Sequence, residues 1–156
     1  MTVRVSTNFK QRILGTESFA SIFGGGRVLI YTGGQPDTAD HPVQGTLLAQ
    51  ITNGGLPWQP NGAAGGLNFT LSGSYAVNDP TQSWKLIAEA AGTAGWFRLV
   101  GKATDNGQFS PAAPRLDGII GLSGAVDLRL ENILFSVGYT LPVQQFVFTL
   151  PSVTGS

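Results

Sequence analysis

One imidazole, nine carboxylates and three indoles are the groups from which this 156-residue chain would have to build a reactive or binding site. Cysteine is absent, which removes disulfides, thiolate zinc centres and thiol nucleophiles together. His41, in Asp40-His41-Pro42, is the single imidazole, so neither a three-histidine metal centre nor an HExxH zinc site can form. A Ser-His-Asp relay would have to use the same residue. Its neighbour Asp40 is poorly placed to orient it, because adjacent residues of an extended loop point apart, and no G-x-S-x-G elbow is present. The expectation is a solvated or hydrogen-bonded loop histidine, with no catalytic residue, no metal and no cofactor.

The carboxylates do not group by spacing. Asp37 and Asp40 flank a proline-containing loop, Asp79 and Asp105 fall in turns, and Asp127 with Glu131 share the polar side of one alternating segment. Glycoside hydrolysis needs two carboxyls on opposite sides of one bond, and each of these placements is also what a turn or a solvated face produces. Asp105-Asn106-Gly107 and Asp37-Thr38-Ala39-Asp40 offer oxygen ligands without the twelve-residue calcium loop. Gly24-Gly25-Gly26 lies between a helix and a strand and lacks the following Lys-Ser/Thr, so it is not a phosphate loop. Asn68-Phe69-Thr70 fits a glycosylation sequon inside a strand and carries no weight. Of the aromatics Trp58, Trp84, Trp96, Tyr31, Tyr75 and Tyr139, those in strands read as core. Trp58 is different, because Leu56-Pro57-Trp58-Gln59-Pro60 is a proline-bounded loop where an exposed indole calls for a contact.

The elements that would position these groups are mostly strands. Phe9, Ile13, Thr16, Ala20 and Phe23 recur at helical spacing and predict a helix over residues 6–23, weakened at Gly15 and stopped by the glycine triplet. Beyond it the period is two. Arg27 to Thr32, Thr46 to Thr52, Leu67 to Ser72, Trp96 to Ala103, Val126 to Glu131, Phe135 to Leu141 and Gln145 to Leu150 read as strands between turns rich in Gly, Pro, Asn and Asp. The fold class expected is all-β, an antiparallel β-sandwich or jelly roll with a short N-terminal helix. Residues 1–23 form an arm and helix, 24–156 the sandwich, and the whole is one domain.

Composition bears on partners. Nine basic residues balance nine acidic ones, so no cationic excess exists to bind a phosphate backbone, and no nucleic acid is expected. Charged residues are 12 % of the chain, about half of the ~25 % usual for a soluble domain. A surface so poor in charge is either built of Ser, Thr, Asn, Gln and Gly or covered by partners; the second is expected, with a homo-oligomer. No apolar run approaches the ~18 residues of a membrane span and no signal-peptide pattern opens the sequence, so the expectation is a soluble protein made in the cytoplasm, with no membrane partner.

At residues 27–51, Tyr31-Thr32-Gly33-Gly34-Gln35-Pro36-Asp37-Thr38-Ala39-Asp40 and then Gly45-Thr46-Leu47-Leu48-Ala49-Gln50-Ile51 follow a short helix that ends in glycines. This arrangement resembles small structural proteins of tailed bacteriophages, with a Y-[ST]-G-x-Q-P-x-x-A-D loop and a G-T-L-L-A-x-I strand, over residues 8–52. The resemblance implies a non-enzymatic virion component, made in the host bacterial cytoplasm. A capsid decoration (cement) protein on the major capsid protein is its first form, and a tail, neck or baseplate component the alternative. No small-molecule ligand is expected, although a carbohydrate- or receptor-binding module is a further alternative, supported by Trp58. The residues singled out as a candidate assembly interface are Phe9, Ile13, Tyr31, Gln35, Pro36, Asp40 and Trp58, with residues 1–8 as an arm that orders on docking.

Overall fold

The computed structural model describes residues 3–124 and 127–149. In chain order its elements are β1 (Arg4–Val5), α1 (Thr7–Leu14), α2 (Phe19–Phe23), β2 (Arg27–Tyr31), β3 (Leu47–Asn53), β4 (Phe69–Ser72), β5 (Tyr75–Asn78), β6 (Trp84–Ala88), β7 (Gly92–Thr93), β8 (Trp96–Val100), β9 (Arg115–Gly121), β10 (Leu128–Arg129), β11 (Leu134–Phe135), β12 (Thr140–Pro142) and β13 (Val147–Phe148). The large sheet runs β1-β9-β8-β2-β3-β6-β12, antiparallel throughout, with β10 added in parallel to the far end of β9. A three-stranded sheet β13-β5-β4, a small β11-β7 pair and the two helices complete an all-β sandwich with an N-terminal helical segment.

Strand alternation builds the core directly. Leu116, Leu99, Val28, Ile51, Leu86 and Leu141 stand opposite one another across six strands, and Phe97, Ile30, Ala49 and Ala88 form the next row. All belong to one buried cluster with Phe9, Phe19 and Phe23 of the helices and Phe69 and Phe146 of the smaller layer. A bulge between Ile30 and Tyr31 shifts the pairing with β3, so that Leu48 and Ala49 are both buried in that core. Gly118 faces Phe97 in the second row, and a Cβ there would stand 2.6 Å from the Phe97 ring. The ring occupies the space a side chain would need.

Three expectations change. The helix over 6–23 is two helices: Gly15 closes α1 by donating to the Arg12 carbonyl, and Ser18 restarts the chain with a reciprocal capping box to Ser21. The Arg12–Glu17 ion pair, 2.6 Å, spans the break. The docking arm is corrected from residue 3 on, since β1 pairs with β9, the Ser6 N–H donates to the Arg115 carbonyl, and Ser6 Oγ accepts from Phe9 N and Arg115 N. A backbone so paired has no ordering left for a neighbour to supply. The strand expected over Phe135 to Leu141 divides at residues 136–139 into β11 and β12. Val126 and Leu150, expected in strands, lie outside the described residues.

Candidate functional site on the outer face of the sheet

The second face of the large sheet carries the polar residues that alternate with the core rows. β2 contributes Arg27, Leu29 and Tyr31, β8 Trp96, Arg98 and Val100, and β9 Arg115 and Asp117, with Gln50 from β3. Such a face would be solvated if nothing lay over it. Here the loop of residues 32–46 and the segment 101–114 cover it, and Leu29, Tyr31, Trp96 and Val100 form a second buried cluster packed against Val43 and Leu47. Tyr31 stacks on Trp96, ring centroids 4.7 Å apart.

Under this cover two ion pairs are enclosed. Arg98 gives Nε and Nη2 to the two Asp117 oxygens at 2.7 and 2.8 Å, and both side chains are fully buried. Arg115 does the same to Asp105 at 2.7 Å. The remaining guanidinium donors hold the loop: Arg98 Nη2 donates to the His41 carbonyl, Arg115 Nη1 to the Ala39 and Asp40 carbonyls, and Arg115 Nη2 to Gln108. Arg4 Nη1 donates to the Pro36 carbonyl at 2.6 Å. Asp40 turns the other way, its carboxylate accepting from Thr7 N and Thr7 Oγ1 at the start of α1. Both ends of the loop are closed by Thr32 N donating to the Thr46 carbonyl. Gly45, just before Thr46, has φ 82°, and a Cβ there would lie 2.2 Å from the Thr32 carbonyl oxygen, a place only glycine fills.

Burial pushes the Asp117 carboxyl above its ordinary value against the pull of Arg98. For Asp105 burial pushes upward too, but the bonds from Arg115 and Gly107 N and the field of Arg115 and Arg98 outweigh it and leave the carboxyl below its ordinary value. A carboxyl lowered on folding stabilises the fold above the unfolded pKa, near pH 4, and loses that contribution as pH falls through its folded value. The stability difference between wild type and Asp105→Asn is therefore expected to be full above about pH 5 and to shrink towards pH 2 in urea titrations. A difference independent of pH would exclude the Asp105 assignment.

Beside the ion pairs, Arg27 lies half-buried with its guanidinium 4.2 Å from the centroid of Trp58. Its Nη1 donates to Gln50 Oε1, and Gln50 Nε2 donates to Glu89. Desolvation lowers the Arg27 pKa from its ordinary value, and desolvation raises that of the Tyr31 phenol, which is neutral at pH 7. Two openings meet at Arg27 and Gln50: a cavity of about 240 Å³ running under Val43 and Asn106 past Tyr31 and Arg98, and a groove of about 450 Å³ bounded by Leu56, Pro57, Trp58 and Glu89.

The residues singled out from sequence are thus distributed. Phe9 is in the core and Ile13 packs against it, and Tyr31 and Pro36 are buried under the loop. Burial removes Phe9, Tyr31 and Pro36 from any surface contact of the folded chain, which corrects their assignment to an assembly interface. Gln35 and Asp40 are half-buried, Asp40 being engaged with Thr7. Trp58 is half-buried, its Nε1 donating to the Gly25 carbonyl, so its polar edge and one face are taken by this chain. Trp84 belongs to the main core and Trp96 to the outer cluster, so the indoles form no common platform. Arg98, Arg115 and Asp117 went unsingled in the sequence. For Arg98 a signal was present, a single charge inside the apolar run WFRLV, whereas Arg115 and Asp117 lie in a segment not recognised as a strand.

Among the described residues no group of three or more His, Asp or Glu could hold a metal ion, and no helix is long and apolar enough to cross a membrane. Comparison with protein-family models, with curated proteins and with solved structures finds no match to this chain.

Proposed function

We propose that this chain is a non-enzymatic structural protein of a tailed-phage virion, and that it acts as a capsid decoration protein bridging subunits of the head. The observation that carries the reading is the loop of residues 32–46. It contains part of the phage resemblance, Thr32 to Asp40 with Gly45 and Thr46, it is fastened by Arg4, Arg98 and Arg115, and it presents an exposed tip of His41 and Pro42 beside Phe109. A loop already held in one conformation docks without the entropic cost of ordering. The contact surface is therefore assigned to His41, Pro42 and Phe109 rather than to Tyr31 and Pro36. Low charge supports the same reading, together with large apolar side chains left exposed at Leu14, Leu71 and Val137. The carboxylates Asp40, Asp105 and Asp117 are each engaged in holding the fold.

A decoration protein adds many modest contacts at the junctions of a shell, so internal pressure must break them together before the shell opens. If copies associate as symmetric dimers or trimers, dissociation requires every equivalent contact to fail at once. Electron cryo-microscopy of purified virions of the encoding phage tests this. The expected result is copies at regular positions on the outer head, with the His41 tip at a subunit junction. A ring at the neck, tail or baseplate would replace the decoration role with the tail alternative, and absence from the particle would overturn the virion reading.

A further inference from the structure

The smaller sheet ends in an open strand. In the order β13-β5-β4, β4 comes last, and among the described residues no strand pairs with its other edge. Which backbone groups face that edge follows from the ladder. The Asp79 N–H donates to the Asn68 carbonyl, and the Asn78 N–H donates to the Phe146 carbonyl on the β13 side. By alternation Thr70 and Ser72 are then the β4 residues bonded to β5, and the N–H and C=O of Leu71 point away from it. Further back, Leu67 spends its outward groups on Gly25 and Gly26, and Phe69 is buried. Leu71 is therefore where the edge is open, and it is 79 % exposed.

Across the sheet Leu71 is the end of a row. Phe148 stands opposite Ala76, and Ala76 opposite Leu71, so an apolar row runs from the aromatic core to an uncovered leucine. Sheets usually guard such an edge with Lys, Pro or a bulge. β4 has none of these: it reads FTLS and pairs with β5 in unbroken register. Charge is missing on a larger scale as well. Residues 41–78 and 132–156 contain no Lys, Arg, Asp or Glu, and β4, β5 and β13 all come from these two runs. A neutral edge meets no like-charge repulsion from its own copy, whereas a charged strand laid against it would lose hydration with no opposite charge to answer it.

We propose that two copies of this chain pair through β4, antiparallel about a two-fold axis at Leu71, and join their smaller sheets into one sheet β13-β5-β4-β4-β5-β13. Leu71 exchanges both of its backbone hydrogen bonds with Leu71 of the partner subunit, and the two side chains cover one another on the face that Phe148 and Ala76 share. On the opposite face Thr70 of one copy stands across from Ser72 of the other, so the row Val147-Val77-Thr70 of one copy continues into Ser72 and Tyr75 of the next. The pairing does not depend on the virion role: a monomer in solution leaves that reading standing, and absence from virions leaves the pairing standing.

Because the chain has no cysteine, a single introduced thiol tests the geometry. Residues that exchange backbone bonds across an antiparallel pair have Cα atoms about 5.5 Å apart, inside the ~4.4–6.8 Å span of a disulfide. Under mild oxidation of the full chain, Leu71→Cys is expected to form a covalent dimer, while Leu14→Cys, at a comparably exposed position on α1, stays mostly monomeric. Sedimentation equilibrium of the unaltered chain up to about 1 mM is expected to show a monomer–dimer equilibrium. Its dissociation constant is expected to rise about tenfold or more in Leu71→Lys, which sets two like charges at the axis, and in Leu71→Pro, which removes the outward N–H and leaves the β5 ladder intact. Leu71→Lys alters an exposed side chain only, so it reports the interface even if Leu71→Pro folds poorly. A chain still monomeric at about 1 mM, a dimer of unaltered strength in Leu71→Lys, or equal cross-linking of Leu71→Cys and Leu14→Cys would overturn the proposal.

Discussion

Replacing Asp117 with alanine is expected to lower the folding stability by about 3–5 kcal/mol, because it leaves Arg98 charged, fully buried and without its bidentate partner. Arg98 cannot move to solvent to escape, since the loop it anchors at the His41 carbonyl lies above it and Trp96 lies beside it. The effect is on the order of a third or more of the stability of a typical domain. Urea denaturation of Asp117→Ala against wild type measures it directly, and a loss below about 1 kcal/mol would show that Arg98 finds another partner or that water enters.

The same physics gives the opposite result for the pair. The mutual attraction of two buried charges repays their desolvation poorly, and burial already pushes the Asp117 carboxyl up in the presence of Arg98. Arg98→Met combined with Asp117→Leu is therefore expected to recover most of the loss and to come within about 1–2 kcal/mol of wild type. Its cost falls on the loop, which loses the Arg98 bond to the His41 carbonyl and keeps those of Arg115, Arg4 and Thr7. Faster amide exchange over residues 37–41 in the double variant, at near-normal global stability, would assign the pair to fixing the loop rather than to supporting the fold.

Much of the sandwich was legible because its strands alternate. Val28 and Ile30, Ile51, and Leu99 each lie on one face in the structure as their spacing predicts. Where the reading failed, a tertiary contact decided. Trp84–Ala88 and Arg115–Gly121 were not recognised as strands, yet they pair with β3 and β8 respectively. Their apolar runs are interrupted by Lys85 and Asp117, and only the covering loop distinguishes an exposed Lys85 from a buried Asp117. Leu71 shows the converse, an apolar residue in register with the core side of its strand that remains exposed because no element among the described residues reaches over it. The outer site was hidden for the same reason. Tyr31 was singled out from its loop motif, and alternation puts Arg27 on the same face of the same strand, but the association of both with Arg98 of β8 depends on strand order, which periodicity does not encode. Trp58 was recognised by its unusual loop, and its partner Arg27 was visible only as the first residue of a strand.

Phe9→Ala decides between core and interface for the N-terminal helices. Phe9 stacks on Phe23 at 5.3 Å and meets Phe19 and Phe148 edge-on at 6.0 and 6.2 Å, so truncation opens a cavity bounded by rings of α2 and β13. Such cavities collapse only partly, and a loss of about 3–5 kcal/mol is expected. Leu14→Ser on the same helix removes an apolar side chain that is 86 % exposed, and its effect is expected to stay within about 0.5 kcal/mol. A residue serving an interface would behave the other way, with Phe9→Ala neutral in the isolated chain and defective only in assembly. The two sites are also coupled. Thr7 holds Asp40 through its N–H and hydroxyl, and Ser6 Oγ accepts from the Arg115 N–H, so loosening α1 withdraws support from the loop that carries the exposed tip. Amide exchange at residues 38–42 is therefore expected to rise in Phe9→Ala and to stay at the wild-type rate in Leu14→Ser, which ties the rigidity of the proposed docking loop to one core aromatic residue of α1.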